Sequence, residues 1–126
     1  MSGRLRILIV EDDVDLRRMF RQALMFAGMD IQEAGNGLEA LRVLDSHPPD
    51  AVVLDLGLPL ISGHVVRDEI AAHSHLRQIP VIIVTGQTGD LSHLDAACVL
   101  RKPVTPDQLM VTIRRCIASG APPVSC

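Results

Sequence analysis

The sequence predicts an α/β domain built on a parallel β-sheet, and three observations lead there. Three short runs, "LRILIV" (5–10), "AVVL" (51–54) and "PVIIV" (80–84), are apolar and β-branched on successive residues instead of alternating. Strands read that way when helices cover both of their faces. Between the runs the apolar residues change to helical spacing. Strand and helix then alternate along the chain, as they do in parallel α/β domains.

The first strand, 5–10, ends in three acids, Glu11, Asp12 and Asp13. Residues 14–27 place Leu16, Met19, Phe20, Ala23, Leu24 and Ala27 on one helix face, and Gly28 stops that helix. A weaker strand covers 29–34. "NGLEALRVL" opens a helix over 37–46, with Asn36 as N-cap and Glu39 at the capping-box spacing. The strand over 50–55 ends in Asp55 and is broken at once by Gly57 and Pro59. A helix over 63–73 leads to strand 80–84, which ends in Thr85-Gly86.

The stretch after Thr85 is poorly patterned. Gly86, Gly89 and Asp90 disfavour helix there, and only Leu91, Leu94 and Ala97 offer an apolar face. The strand over 98–101 ends in Arg101-Lys102-Pro103. "TPDQL" opens the last helix, 106–118, with Thr105 as N-cap, Pro106 at the first helical position and Gln108 as capping-box partner. Leu109, Ile113, Cys116 and Ile117 share its apolar face.

Composition narrows the partners. The chain has 126 residues, 48% of them hydrophobic, enough for one domain with a core of its own. A net charge of −3 gives no electrostatic reason to expect direct nucleic-acid or anionic-membrane binding. Phe20 and Phe26 are the only aromatics, too few for a single-strand stacking platform. No apolar run reaches the ~18 residues of a membrane span, and the start does not read as a secretory signal. Cys98, Cys116 and Cys126 are an odd number without CxxC spacing and read as free thiols in a reducing compartment. Residues 1–120 are expected to form the domain, and 121–126 a flexible tail or the start of a linker.

The chemistry gathers at the strand ends. In an open parallel sheet, ligands bind beyond the carboxyl ends of the strands, where the winding reverses. Two acid-bearing strand ends set side by side make a carboxylate cluster, whose members repel unless a cation neutralises them. A hard divalent cation such as Mg²⁺ suits one or two carboxylates plus waters and a phosphate. Thr85 adds a hydroxyl and Lys102 an ammonium at the same sheet edge. Together these groups handle phosphoryl transfer: metal and Lys for the charge, Thr for a phosphoryl oxygen, a carboxylate as nucleophile.

At "ILIVEDD", "VVLDLGLPLISG", "PVIIVTG" and "VLRKPV", taken in order, the chain resembles the receiver (CheY-like) domain of two-component response regulators, over essentially its whole length. The resemblance implies a flavodoxin-like (βα)5 doubly wound sheet, strand order 2-1-3-4-5. It implies Asp55 as phosphoacceptor. Glu11, Asp12, Asp55 and the carbonyl of Gly57 would hold Mg²⁺ or Mn²⁺. Thr85 would be the switch hydroxyl and Lys102 the phosphoryl partner, with a cis peptide at Lys102-Pro103. Gly57 and Gln87 would line the path of attacking water and tune the phosphoryl lifetime. Such a chain has no separate catalytic domain and catalyses only its own phosphorylation and slow autodephosphorylation. Its donor would be a histidine kinase or histidine phosphotransfer protein, its output a contact with a downstream protein, and its location cytoplasmic.

Two departures from the pattern matter. The switch aromatic of the family stands three residues before the Lys, where this chain has Val99. The interval from Thr85 to Lys102 is also short by roughly one helical turn, so the fourth helix of the fold is expected to be short or irregular. Both features leave a second reading open, a phosphorylation-independent pseudo-receiver that only binds. An aspartyl phosphatase is disfavoured by Gly57, which stands where such enzymes carry a second Asp. No GxxxxGK[ST] motif supports nucleotide binding.

Overall fold

In the computed structural model, which describes residues 3–87, 91, 96 and 98–119, five strands pair in parallel in the order β2-β1-β3-β4-β5. They are β1 (Arg6–Val10), β2 (Asp30–Ala34), β3 (Ala51–Leu54), β4 (Val81–Thr85) and β5 (Cys98–Arg101). Four helices are described: α1 (Val14–Phe26), α2 (Gly37–Ser46), α3 (Gly63–Ala72) and α4 (Pro106–Ser119). Strand order and element order are those expected from the sequence. The helix expected between β4 and β5 falls largely outside the described residues, as does the tail.

The unbroken apolar runs are explained by two cores. Successive side chains of a strand point to opposite faces. Ile7 and Ile9 of β1 face Phe20 and Leu24 of α1 and Leu109 and Ile113 of α4. Leu8 and Val10 face the other way, onto Ala40 and Leu44 of α2 and Val66 and Ile70 of α3. β2 lies at the sheet edge and is only partly covered, which is why its sequence is the weakest of the five.

Local signals behave as their chemistry requires. Asn36 caps α2 by accepting the Glu39 N–H at 2.9 Å. Glu39 reaches back to the Gly35 N–H at 2.8 Å, one residue beyond the N-cap N–H that a reciprocal capping box would engage. The Thr105 hydroxyl accepts the Gln108 N–H at 3.1 Å at the start of α4.

Two expectations, on Met19 and on Cys98, need correction. Met19 lies at the rim of the apolar face of α1 and is 41% exposed, because the facing core is already filled by Phe20 and Leu24. The cap of α1 is Asp13, whose carboxylate accepts the Asp15 and Leu16 N–H groups. Cys98 is disulfide-bonded, contrary to the free thiol expected, while Cys116 is buried in the core between the sheet and α4. Spacing rules for cysteines read local motifs and say nothing of pairs brought together by the fold.

Two glycines sit where helix starts press on backbone. A Cβ on Gly63 would stand 2.6 Å from the Leu56 Cα, with the Asp55 carbonyl oxygen closer still. A Cβ on Gly37 would stand 2.7 Å from the Ile61 Cβ. The segment that follows β3 is thus gripped between the starts of α2 and α3.

Candidate functional site

The register of β1 and β3 builds the site. Val10 stands opposite Leu54, so the next residues, Glu11 and Asp55, leave the sheet side by side. Glu11 N–H donates to the Ala34 carbonyl and Asp55 N–H to the Val10 carbonyl, both at 3.0 Å, so the backbone at both positions is fixed. Oxygens of Glu11, Asp12 and Asp55 all lie within 4.8 Å of one another. Glu11 and Asp55 are buried at 3% and 7% exposure, while Asp12 faces solvent.

Lys102 enters this cluster from the end of β5. Its Nζ donates to Glu11 Oε1 at 2.9 Å and lies 3.4 Å from Asp55 Oδ2. Its backbone N–H donates to the Thr85 carbonyl at 2.8 Å, which ties the end of β5 to the end of β4. The Lys102-Pro103 peptide is cis. The other oxygen of Asp55, Oδ1, accepts the Gly57 N–H at 3.1 Å, closing a tight turn under the carboxylate.

The electrostatics are those of crowded acids. Burial pushes the Glu11 carboxyl up to about 7, and the nearby charge of Asp55 adds to the rise; the bonds from Lys102 and the Asp13 N–H offset only part of it. Burial works against the charge on Lys102, but its bond to Glu11 and the negative charges of Glu11 and Asp55 outweigh this and hold the ammonium above its ordinary value. One ammonium thus partly neutralises a site with three carboxylates. The donor set is all oxygen, anionic and clustered, which fits a hard divalent cation.

Thr85 ends β4 and is 1% exposed. Its hydroxyl accepts the Gln87 N–H at 3.1 Å. Val99 lies in β5, half-buried against the cluster of Leu8, Leu54 and Ile83. The structure therefore brings Glu11, Asp12, Asp55, Gly57 and Lys102 into one connected group, and hangs Thr85 and Gln87 from the adjoining strand end.

Several contributors were not foreseen from the sequence. Arg17 of α1 donates to the Glu11 carbonyl at 2.7 Å and pairs with Glu33 at 3.0 Å, bracing the acid-bearing end of β1. Arg101 donates to the Gln87 carbonyl at 2.6 Å. Leu60 is 78% exposed and has a φ of 68°, a left-handed conformation unusual for a Leu. An Arg on the outer half of a helix face or beside a strand-end Lys carries no signal of its own. Only the fold shows which carbonyl it meets.

Known proteins resemble this chain in sequence and in fold. Residues 7–114 match the family model of the response regulator receiver domain. The chain is 30% identical over 122 residues to the response regulator MprA of Mycobacterium sp. (strain KMS), covering 93% of this chain and 52% of that protein. It is 31% identical over 118 residues to the probable transcriptional regulator ycf29 of Pyropia yezoensis, covering 90% of this chain and 53% of that protein. It thus spans about half the length of these relatives. Among solved structures, a putative response regulator from Chloroflexus aurantiacus J-10-fl superposes with a TM-score of 0.85 at 30% identity, covering 92% of this chain and 99% of the other. The signal receiver domain of a putative Luxo repressor protein from Vibrio parahaemolyticus gives 0.84 at 28% identity, covering 93% and 92%.

Proposed function

The chain belongs to the response regulator receiver domain family, and from that premise we propose that it is a phosphoaccepting signalling switch with Asp55 as the acceptor. The observation that carries the reading is the meeting of Asp55, Glu11, Asp12 and Lys102 at adjoining strand ends, with Lys102 Nζ bridging Glu11 and Asp55. A phosphohistidine on a histidine kinase or phosphotransfer protein is the donor. A carboxylate oxygen of Asp55 forms a bond to phosphorus as the donor's N–P bond breaks, and that bond's electron pair stays on the imidazole nitrogen.

Glu11, Asp12, Asp55 and the Gly57 carbonyl would hold the divalent cation, Mg²⁺ or Mn²⁺, which when bound offsets the negative charge of the phosphoryl oxygens. Lys102 stands beside Asp55 Oδ2 and supplies a further fixed positive charge to the same oxygens. The Thr85 hydroxyl, which at rest accepts the Gln87 N–H and keeps its own proton to donate, re-aims to become a hydrogen-bond donor to the acyl phosphate. Gly57 and Gln87 flank the acceptor and set how readily water reaches it. The output is a change at the surface around the loop after Thr85 and β5, read by a partner protein in the cytoplasm.

The test is direct. Incubate the protein with Mg²⁺ and acetyl phosphate or phosphoramidate and read the intact mass, with Asp55→Ala as control. The expected result is a labile gain of one phosphoryl group that requires Mg²⁺ and is absent in Asp55→Ala. No gain, together with an NMR spectrum unmoved by beryllofluoride, would refute the switch and leave a binding module.

A further inference from the structure

We propose that Arg101 is a positioning residue that couples Thr85 to β5, a task for which Val99 is too small; the proposal rests on Asp55 being a phosphoacceptor. Three bonds define the turn after β4. The Thr85 hydroxyl accepts the Gln87 N–H at 3.1 Å, the Thr85 carbonyl accepts the Lys102 N–H at 2.8 Å, and the Gln87 carbonyl accepts from the Arg101 guanidinium at 2.6 Å. Two of the three come from the end of β5, where Arg101 pairs in register with Thr85.

The side chains of β5 alternate. Cys98 and Leu100 enter one core, while Val99 packs in the other, and Arg101 lies two residues on from Val99. Arg101 therefore starts from the same face of the sheet as Val99. A side chain that swings needs length and a partner to leave. Val99 has neither, since its branched Cβ leaves it few rotamers. Arg101 has both, and its charge-assisted bond to a carbonyl is the directional kind that reports a small shift.

The coupling follows from the shared turn. When the Thr85 hydroxyl re-aims toward a phosphoryl group on Asp55, its bond to the Gln87 N–H lengthens or breaks. The Gln87 carbonyl turns with the peptide chain, and the guanidinium of Arg101 gives up this bond or follows the carbonyl. In either case the change at Thr85 reaches the surface of β5 through Arg101. Conversely, Arg101 holds the turn in its resting form and steadies Gln87.

The experiment compares the full chain with Arg101→Ala and Arg101→Lys, using Mg²⁺ with beryllofluoride for amide NMR and Mg²⁺ with acetyl phosphate for intact mass. Arg101→Ala is expected to take up one phosphoryl group like the unaltered protein. Its Gln87 amide should already be displaced at rest, and the beryllofluoride-induced shifts of Val99 and Leu100 should shrink by at least about half. The phosphoryl lifetime should change by a few-fold, the lower end of coupling between linked sites. Arg101→Lys, which can still donate to the Gln87 carbonyl, should recover most of the Val99 and Leu100 response, which a merely structural role would not predict. The proposal is overturned if Arg101→Ala takes up phosphoryl normally and its Gln87, Val99 and Leu100 amides overlay on those of the unaltered protein in both states. If the unaltered protein itself takes up none, the acceptor reading fails first and this proposal falls with it.

Discussion

Replacing Gly63 with Ala should unseat the acceptor loop, and the size of the effect can be worked from the packing. The new Cβ would stand 2.6 Å from the Leu56 Cα and 3.0 Å from the Asp55 carbonyl carbon. Carbon atoms prefer roughly 3.5–4.0 Å, so the start of α3 or the end of β3 must retreat by roughly 1 Å. Both neighbours are backbone, and neither can rotate away. Overpacking of this kind costs about 1–3 kcal/mol, and the rigid surroundings place Gly63 at the upper end. The gain from Ala over Gly in a helix is at most about 1 kcal/mol. The net loss is then about 2 kcal/mol, or roughly 8 °C in Tm for a domain of this size. Gly86→Ala is the control, since its Cβ would have no heavy atom within 4 Å. Urea and thermal unfolding followed by circular dichroism give the stabilities, because the chain has no Trp for fluorescence. Phosphoryl uptake should slow in Gly63→Ala, since the residue it displaces is Asp55. Stability and uptake both matching Gly86→Ala would refute the claim that α3 is seated on the acceptor backbone.

Three further outcomes follow from the same site. The Glu11 carboxyl titrates at about 7 in the folded protein against an ordinary 4.5, so the native state holds a proton that the unfolded chain has released. The stability this group contributes is therefore full below pH 4.5 and is lost as pH rises through 7, by at most about 3 kcal/mol. Urea midpoints between pH 4.5 and 8 should show that fall, saturating Mg²⁺ should flatten it, and Glu11→Gln should lack it. Lys102→Met removes the bridge between Glu11 and Asp55 and with it a force that lowers the Glu11 pKa. It should lose about 1–3 kcal/mol more at pH 8 than at pH 5, with Mg²⁺ restoring part, and equal losses at both would contradict the arrangement. Asn36→Ala deletes the cap of α2 and should lower stability by about 1 kcal/mol without changing phosphoryl uptake, read by melting and intact mass in parallel.

What the sequence could and could not reveal divides along a physical line. Strand positions, helix faces and the acid-bearing strand ends were legible because they are local: a β-branched run, a 3.6-residue spacing and a carboxylate where a buried strand stops each carry their own signature, whereas the strand order came only with the family resemblance. β2 read weakly for the same reason, since an edge strand half-covered by helices has less to bury. Met19 was misplaced because periodicity marks a stripe wider than the core that receives it, and Phe20 and Leu24 had already filled that core. The residues that brace the site were illegible for a different reason. Arg17 and Arg101 act on carbonyls of Glu11 and Gln87, and a backbone carbonyl is present at every position. Nothing in the sequence marks which one a guanidinium will find. The proposed acceptor and the acids that would hold a cation are therefore written in residue type, whereas the control of their geometry is written in the fold. That is why the loss of the switch aromatic at Val99 need not mean the loss of a switch: a backbone-directed Arg can carry the motion, and no motif would record it.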